Sequence, residues 1–275
     1  MDGIEVASLT KKFKSMKTIL ILFSTIILLS ACNKSESDHP VSGKATMSVY
    51  LTDGPGPYDA IMIDLQSIEV NSSSSDNGWK QLDVIHPGVY NLFHLRNGID
   101  TLIASGELPA GKISQIRLIL GPNNSVIIDG TSYPLETPSA QQSGIKLNID
   151  AQLTAGIDYK IWTDFDGARS IVRTGNNKFI LKPVIRVYTK AISSSVKGIV
   201  LPPDANPWVY AISGSDTIAS AQPDSTTGSF LINGLSAGTY SIAIDGNNNY
   251  NDTTYNSVDV TTGSVTDIGT VQLHQ

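Results

Sequence analysis

From residue 44 onward the chain is built of short apolar stretches between turn signals, and their dominant period is two. Ala45, Met47, Val49 and Leu51 alternate with Thr46, Ser48, Tyr50 and Thr52, which predicts a half-buried strand. Asp53-Gly54-Pro55-Gly56-Pro57 ends it, because glycine permits positive φ and proline removes a ladder donor. A second strand over 60–70 puts Ile61, Ile63 and Leu65 on one face, and a serine-rich loop over 71–78 leads to a third at Trp79. Further strands are expected over 91–95 and 115–120 and near Lys146, Tyr159 and Phe179. A hairpin is expected over 126–135 with Asp129-Gly130 at its tip. Residues 99–105 read as a short helical turn. Strand parity around Tyr159 assigns Tyr159, Ile161, Thr163 and Phe165 to a core face and Lys160, Trp162, Asp164 and Asp166 to the opposite one, with Gly167 ending the strand.

Ala191-Ile192-Ser193-Ser194-Ser195 reads as a linker, after which a second series of short strands begins at Val196. No amphipathic helix stands out. The expected fold is therefore all-β, with two β-sandwich domains: a larger one over 43–190 and a smaller one over 196–275.

Ahead of both lies a different pattern. An apolar run begins near Ile19, follows Lys11, Lys12, Lys14 and Lys17, and is too short for a membrane span. It ends in Leu29-Ser30-Ala31-Cys32, which resembles the lipobox of bacterial lipoproteins. The resemblance implies a signal peptide over 1–31, a diacylglyceride on the Cys32 sulfur, usually an acylated amino group, and a flexible tether over 32–42. Each buried methylene contributes about 0.8 kcal/mol, so several acyl chains would hold the body firmly on an outer membrane or cell surface. The other reading of Cys32 is a buried core thiol. Met16-Lys17 would by itself open a well-formed leader, which makes Met16 a candidate start.

Composition narrows the function. The formal charge is −6, and removing the leader makes the remainder more acidic. An acidic body without a Lys/Arg cluster disfavours nucleic-acid binding. With the single cysteine committed to lipid, no disulfide or thiol nucleophile is available.

Several motifs carry resemblances. Tyr50-Leu51-Thr52-Asp53-Gly54-Pro55, Leu108-Pro109-Ala110-Gly111 leading to Ile116-Arg117-Leu118, Gly144-Ile145-Lys146-Leu147, Asp164-Phe165-Asp166 and Leu181-Lys182-Pro183-Val184-Ile185 resemble the bacterial lipoprotein family numbered 4382 among domains of unknown function. That implies a β-sandwich over 43–188 and no reaction. Val196-Lys197-Gly198-Ile199-Val200, Gly228-Ser229-Phe230-Leu231-Ile232, Gly234-Leu235-Ser236-Ala237-Gly238-Thr239-Tyr240 and Asp267-Ile268-Gly269-Thr270-Val271 resemble carboxypeptidase-regulatory-like domains. That implies a transthyretin-like, seven-stranded sandwich, and a superfamily that includes starch-binding members.

Candidate chemistry is sparse. Gly234-Leu235-Ser236-Ala237-Gly238 fits G-x-S-x-G, yet a nucleophile elbow needs a following helix and 239–244 reads as a strand. His39, His86, His94 and His274 lack metal-ligand spacing. The loop 245–252 alternates oxygens as a calcium loop does, but Tyr250 stands where the sharp-turn glycine belongs. Two ligand-binding hypotheses remain. Trp208 and Tyr210 lie outward for sugar stacking if Val209 and Ala211 face the core; otherwise they fill it. Trp162 beside Asp164 and Asp166 could grip a sugar, or the two carboxylates a calcium ion; the alternative is that they bond turn amides or pair with Lys182 or Arg117. The expectation is a non-enzymatic envelope lipoprotein acting as a binding or adhesion module for carbohydrate. Its alternative is a structural or protein-binding subunit of an envelope assembly.

Overall fold

Alternation along the first strand decides the architecture, because it lets one face enter a core while the other stays free to meet a neighbour. The computed structural model describes residues 43–54, 56–72, 78–137, 143–189 and 193–275; the leader, Cys32 and the tether lie outside the described residues. The first half contains β1 (Lys44–Gly54), β2 (Ala60–Asn71), β3 (Trp79–Val84), β4 (Gly88–Asn91), β5 (Thr101–Pro109), β6 (Gly111–Leu120) and β7 (Ser125–Ile128). It continues with β8 (Thr131–Glu136), β9 (Ile145–Leu153), β10 (Asp158–Asp166), β11 (Ile171–Arg173), β12 (Phe179–Leu181) and β13 (Ile185–Tyr188). β1 is flanked by β5, antiparallel, and β10, parallel, and β10 in turn by β13. β2 carries the opposing layer, pairing with β3, β4, β6 and β7, while β9 pairs with β6. Between the layers Met47, Val49, Ile68, Ile103, Ile116 and Phe165 are almost fully buried. Each such side chain contributes about 1.5–3 kcal/mol relative to leaving it in water.

The hairpin forms as expected: β7 and β8 pair antiparallel, with Asp129 and Gly130 at φ +49° and +71° in the turn. Two local expectations fail. The predicted helical turn over 99–105 belongs largely to β5, where Ile103 and Ala104 are fully buried and the strand bonds to β1; ladder and burial decide the conformation. The expected strand over 91–95 is instead the end of β4 followed by a 3-10 turn, Leu92–Leu95, because the Asn91 side chain accepts from the Phe93 amide at 3.0 Å and caps it. The one short α-helix among the described residues, α1 (Gly167–Ser170), is capped the same way by Asp166.

The second half contains β14 (Ser194–Leu201), β15 (Trp208–Ser213), β16 (Asp216–Ala221), β17 (Ser229–Leu235), β18 (Gly238–Asp245), β19 (Thr253–Val260) and β20 (Val265–Gln272). They form a three-stranded sheet, β17-β14-β20, facing a four-stranded one, β16-β15-β18-β19. Val196, Val209, Ile232, Leu235, Ile242 and Ile244 fill the space between. The fold is thus an all-β sandwich fold with two separate hydrophobic cores. Ser194 and Ser195 of the expected linker are already strand residues, their hydroxyls donating to Thr261 O at 2.6 Å and Asn233 Oδ1 at 2.7 Å, while Ala191 and Ile192 lie outside the described residues. The described residues from 43 onward belong to one compact unit.

Candidate functional site

The parallel register of β1 and β10 places Tyr50 beside Trp162, Thr52 beside Asp164 and Gly54 beside Asp166. Val49, Leu51, Ile161 and Phe165 take the core side, so this second set faces away from the first core, where the second sandwich covers it. Trp162 is stacked between Tyr50, with centroids 4.9 Å apart, and Tyr188, at 6.2 Å. Its indole N–H donates to Asp100 Oδ2 at 2.7 Å, and only 8% of the residue stays exposed. Trp162 therefore offers no free face for a sugar ring.

Each of the two carboxylates holds an arginine that reaches across. Asp164 pairs with Arg186, which also donates to Asn233 O at 3.1 Å and Gly234 O at 3.3 Å at the end of β17. Asp166 accepts from the Arg169 amide at 2.9 Å and from its Nε at 2.8 Å, while Arg169 Nη1 donates to Thr217 O of β16 at 2.7 Å. Charge-assisted bonds of this kind are about twice as strong as neutral ones. The partners differ from those expected: Arg117 pairs with Glu69 instead. Gly234 fits this junction because it sits at φ +73° and an added Cβ would lie 2.6 Å from Tyr188 Cδ1. Among the described residues, no three His, Cys, Asp or Glu side chains gather as a metal site.

Asp53, the next residue of β1 after Thr52, is buried at the same junction. Burial pushes its carboxyl well above the usual carboxylate range; Asp164 and Asp166 add to this, while the Gly167 amide and Arg96 oppose it. Arg96 lies over the Phe93 ring at 3.4 Å and donates to Gln222 Oε1 at 2.8 Å, and Asn97 Nδ2 donates to Gln222 O at 3.0 Å.

On β15 the structure decides between the two alternatives: Val209 and Ala211 are fully buried in the second core. Trp208 and Tyr210 occupy the other face and stack on each other at 6.4 Å. Trp208 is nonetheless only 6% exposed, and Tyr210 feels the charge of Asp166, because this outer face turns toward the first sandwich. The five residues singled out from sequence thus converge on one seam between the sandwiches. The G-x-S-x-G stretch lies between β17 and β18, a strand–turn–strand arrangement in which Tyr240 Oη donates to Ser236 O at 3.0 Å. In the 245–252 loop, Asp252 Oδ1 accepts from the Gly246 amide at 2.9 Å.

One end of the seam opens into a cleft of about 510 Å³. Tyr58, Phe93 and Arg96 line it from the first sandwich, and Trp208, Gln222 and Asn248 from the second. The loop amides are fixed at its rim: Asn247 Nδ2 donates to Asn206 O and Asn248 Nδ2 to Asp204 O, both at 2.7 Å. A cleft of this size with aromatic rings and planar amides can take a small polar ligand. Trp208 was the one cleft residue proposed from sequence as a sugar contact; Asn247 and Asn248 belong to the 245–252 loop, which was weighed only as a calcium loop. Tyr58, Phe93 and Asn248 lie on separate turns whose approach no local pattern encodes; the only signal was the density of Asn over 247–249. A second groove, of about 480 Å³ and largely apolar, lies where β9 and β13 are edge strands, lined among others by Ile149, Tyr159, Ile161 and Val187.

Among solved structures, the Bacillus anthracis TIE protein aligns over 85% of this chain and 35% of its own, at 10% identity and a TM-score of 0.24. This chain thus spans about a third of that protein's length. The shaft pilin SpaA from Lactobacillus rhamnosus GG aligns over 82% of this chain and 96% of its own, at 9% identity and a TM-score of 0.20. A putative cell adhesion protein from Bacteroides fragilis aligns over 82% and 94%, at 9% identity and a TM-score of 0.21. These superpositions are too loose to carry a functional argument. No curated protein matches the sequence. Residues 44–183, which span the first sandwich from β1 through β12, match the family described as domain of unknown function (DUF4382), and the chain belongs to that family.

Proposed function

We propose that this protein is an acylated envelope lipoprotein, held by Cys32 on the outer membrane or cell surface, whose body binds carbohydrate in the cleft without catalysing a reaction. The observation that carries the reading is the cleft itself, where the half-buried rings of Tyr58 and Phe93 stand beside the side-chain amides of Gln222, Asn247 and Asn248, with the buried Trp208 beneath them. Aromatic faces cover the C–H surface of a sugar while planar amides exchange hydrogen bonds with its hydroxyls. The leader supports the anchor. The absence of an acid, base and nucleophile set in the sequence supports a binding role.

The mature chain with Cys32→Ser is expected to leave the membrane fraction, and on a glycan array it should retain a defined set of sugars. Tyr58→Ala should then weaken the best of them by about 2- to 13-fold, the loss of one aromatic contact of about 0.5–1.5 kcal/mol. An empty array, or a sugar whose affinity ignores Tyr58→Ala, contradicts the cleft assignment; Cys32→Ser protein that stays bound after carbonate washing contradicts the anchor. The protein-binding alternative is favoured by the groove beside the β9 and β13 edges, where an extended segment could add to the sheet. An empty glycan array together with a partner co-purified from solubilised envelope, its capture lost with Val187→Asp, would establish that alternative instead.

A further inference from the structure

The seam also encloses a second, far smaller space. A cavity of about 10 Å³ is lined by Thr52, Asp53, Asn97, Arg186, Ser220 and others from both sandwiches. Four buried side-chain atoms on its walls have no hydrogen-bond partner among the described residues: Asp53 Oδ1, Asn97 Oδ1, Arg186 Nε and Ser220 Oγ. Asp53 and Ser220 are 6% and 8% exposed, so bulk water does not serve them. Buried polar atoms are nearly always paired, and four orphans around one cavity need a common explanation.

Their chemistry is complementary. The Arg186 Nε–H is a donor only, the carboxylate and amide oxygens are acceptors, and the serine hydroxyl can be either. The other two Arg186 nitrogens are already engaged by Asp164, Asn233 and Gly234, which leaves Nε for the cavity. One donor, two acceptors and one adaptable group are what a tetrahedral water molecule requires, and a single water needs about 10–15 Å³ of such space. A cation suits the site poorly. The Arg186 guanidinium faces it, and the carboxylates of Asp164 and Asp166 are taken by Arg186 and Arg169.

We infer that this cavity is a binding site for one water molecule, which accepts from Arg186 Nε, donates to Asp53 Oδ1 and Asn97 Oδ1, and completes its shell with Ser220 Oγ. The water joins β16 of the second sandwich to β1, β13 and the loop after Leu95 in the first. It adds one bridge to the direct hydrogen bonds that Arg169, Arg186, Arg96 and Asn97 already make between the two halves, behind the cleft that Arg96 lines. The site stands on these four atoms alone and does not depend on what the cleft binds.

High-resolution diffraction from crystals of the mature chain carrying Cys32→Ser, grown with EDTA and separately with calcium chloride, tests it. The expected result is one peak in both crystals, about 2.7–3.2 Å from all four atoms. In solution, oxygen-17 relaxation dispersion should record a long-lived internal water. An empty cavity overturns the inference. So does a peak with oxygen distances of about 2.3–2.6 Å that appears only with calcium, which would make the site a cation site.

Discussion

The two hydrophobic cores and the seam between them are built on opposite faces of the same strands. On β10, Ile161, Thr163 and Phe165 enter an apolar core, while Trp162, Asp164 and Asp166 enter a layer of stacked rings and ion pairs. On β15, Val209 and Ala211 do the first and Trp208 and Tyr210 the second. Apolar burial is roughly proportional to area and tolerates imperfect geometry. The seam has no such latitude: a buried charge is stable only with its partner in place. The cores therefore give each sandwich its shape, and the seam sets how the two halves meet and where the cleft lies.

The largest effect that separates the two kinds of contact should come from Arg186. Arg186→Met leaves Asp164 buried without its partner and should cost about 3–5 kcal/mol in chemical denaturation. Adding Asp164→Leu should recover a large part of that loss, because both charges are then gone. If the double variant is as unstable as the sum of the singles, the pair is not coupled and the seam behaves as an ordinary core.

A smaller, pH-dependent effect should come from Asp53. Its folded carboxyl is raised above the ordinary 3.8, mainly by burial, so between 3.8 and the raised value the folded state holds a proton that the unfolded state has lost. Stability from this group is thus present at low pH and lost as pH rises through the folded value, by about 1.4 kcal/mol for every tenfold difference in proton affinity between the two states. Asp53→Asn should raise the neutral-pH Tm and flatten the pH profile. A variant that is less stable than wild type at neutral pH would mean that the ionised carboxylate is itself a favourable partner of Arg96. The exposed pairs Lys44–Glu107 and Lys197–Asp267 should be the smallest case, with no measurable change in Tm when either is removed.

Most of the core was legible in the sequence. Period-two alternation marked β1 and β2, and Asp129-Gly130 marked the β7–β8 turn, because both signals are local. The misread segments were those where a distant partner or a cap decides: β5 is a strand because β1 bonds to it, and the 3-10 turn follows from the Asn91 cap. The candidate site was half legible. Parity placed Trp162, Asp164 and Asp166 on a non-core face, and left open whether Trp208 and Tyr210 face outward or fill the core. It could not show that those faces meet each other, since Arg186 and Gly234, or Arg169 and Thr217, are joined only by the packing of one sandwich on the next. Tyr58 and Phe93, and the part that Asn248 plays in the cleft, were missed for the same reason.

If the polar seam makes two separate hydrophobic cores into one folding unit, damage to one core must be felt by both. Differential scanning calorimetry of the mature Cys32→Ser chain, with and without Phe165→Ala in the first core, reads this out. The substitution should cost about 3–5 kcal/mol. A single transition is expected, with calorimetric and van't Hoff enthalpies that agree, and Phe165→Ala should shift it as a whole to lower temperature. Two transitions, of which Phe165→Ala moves only one, would contradict a shared folding unit.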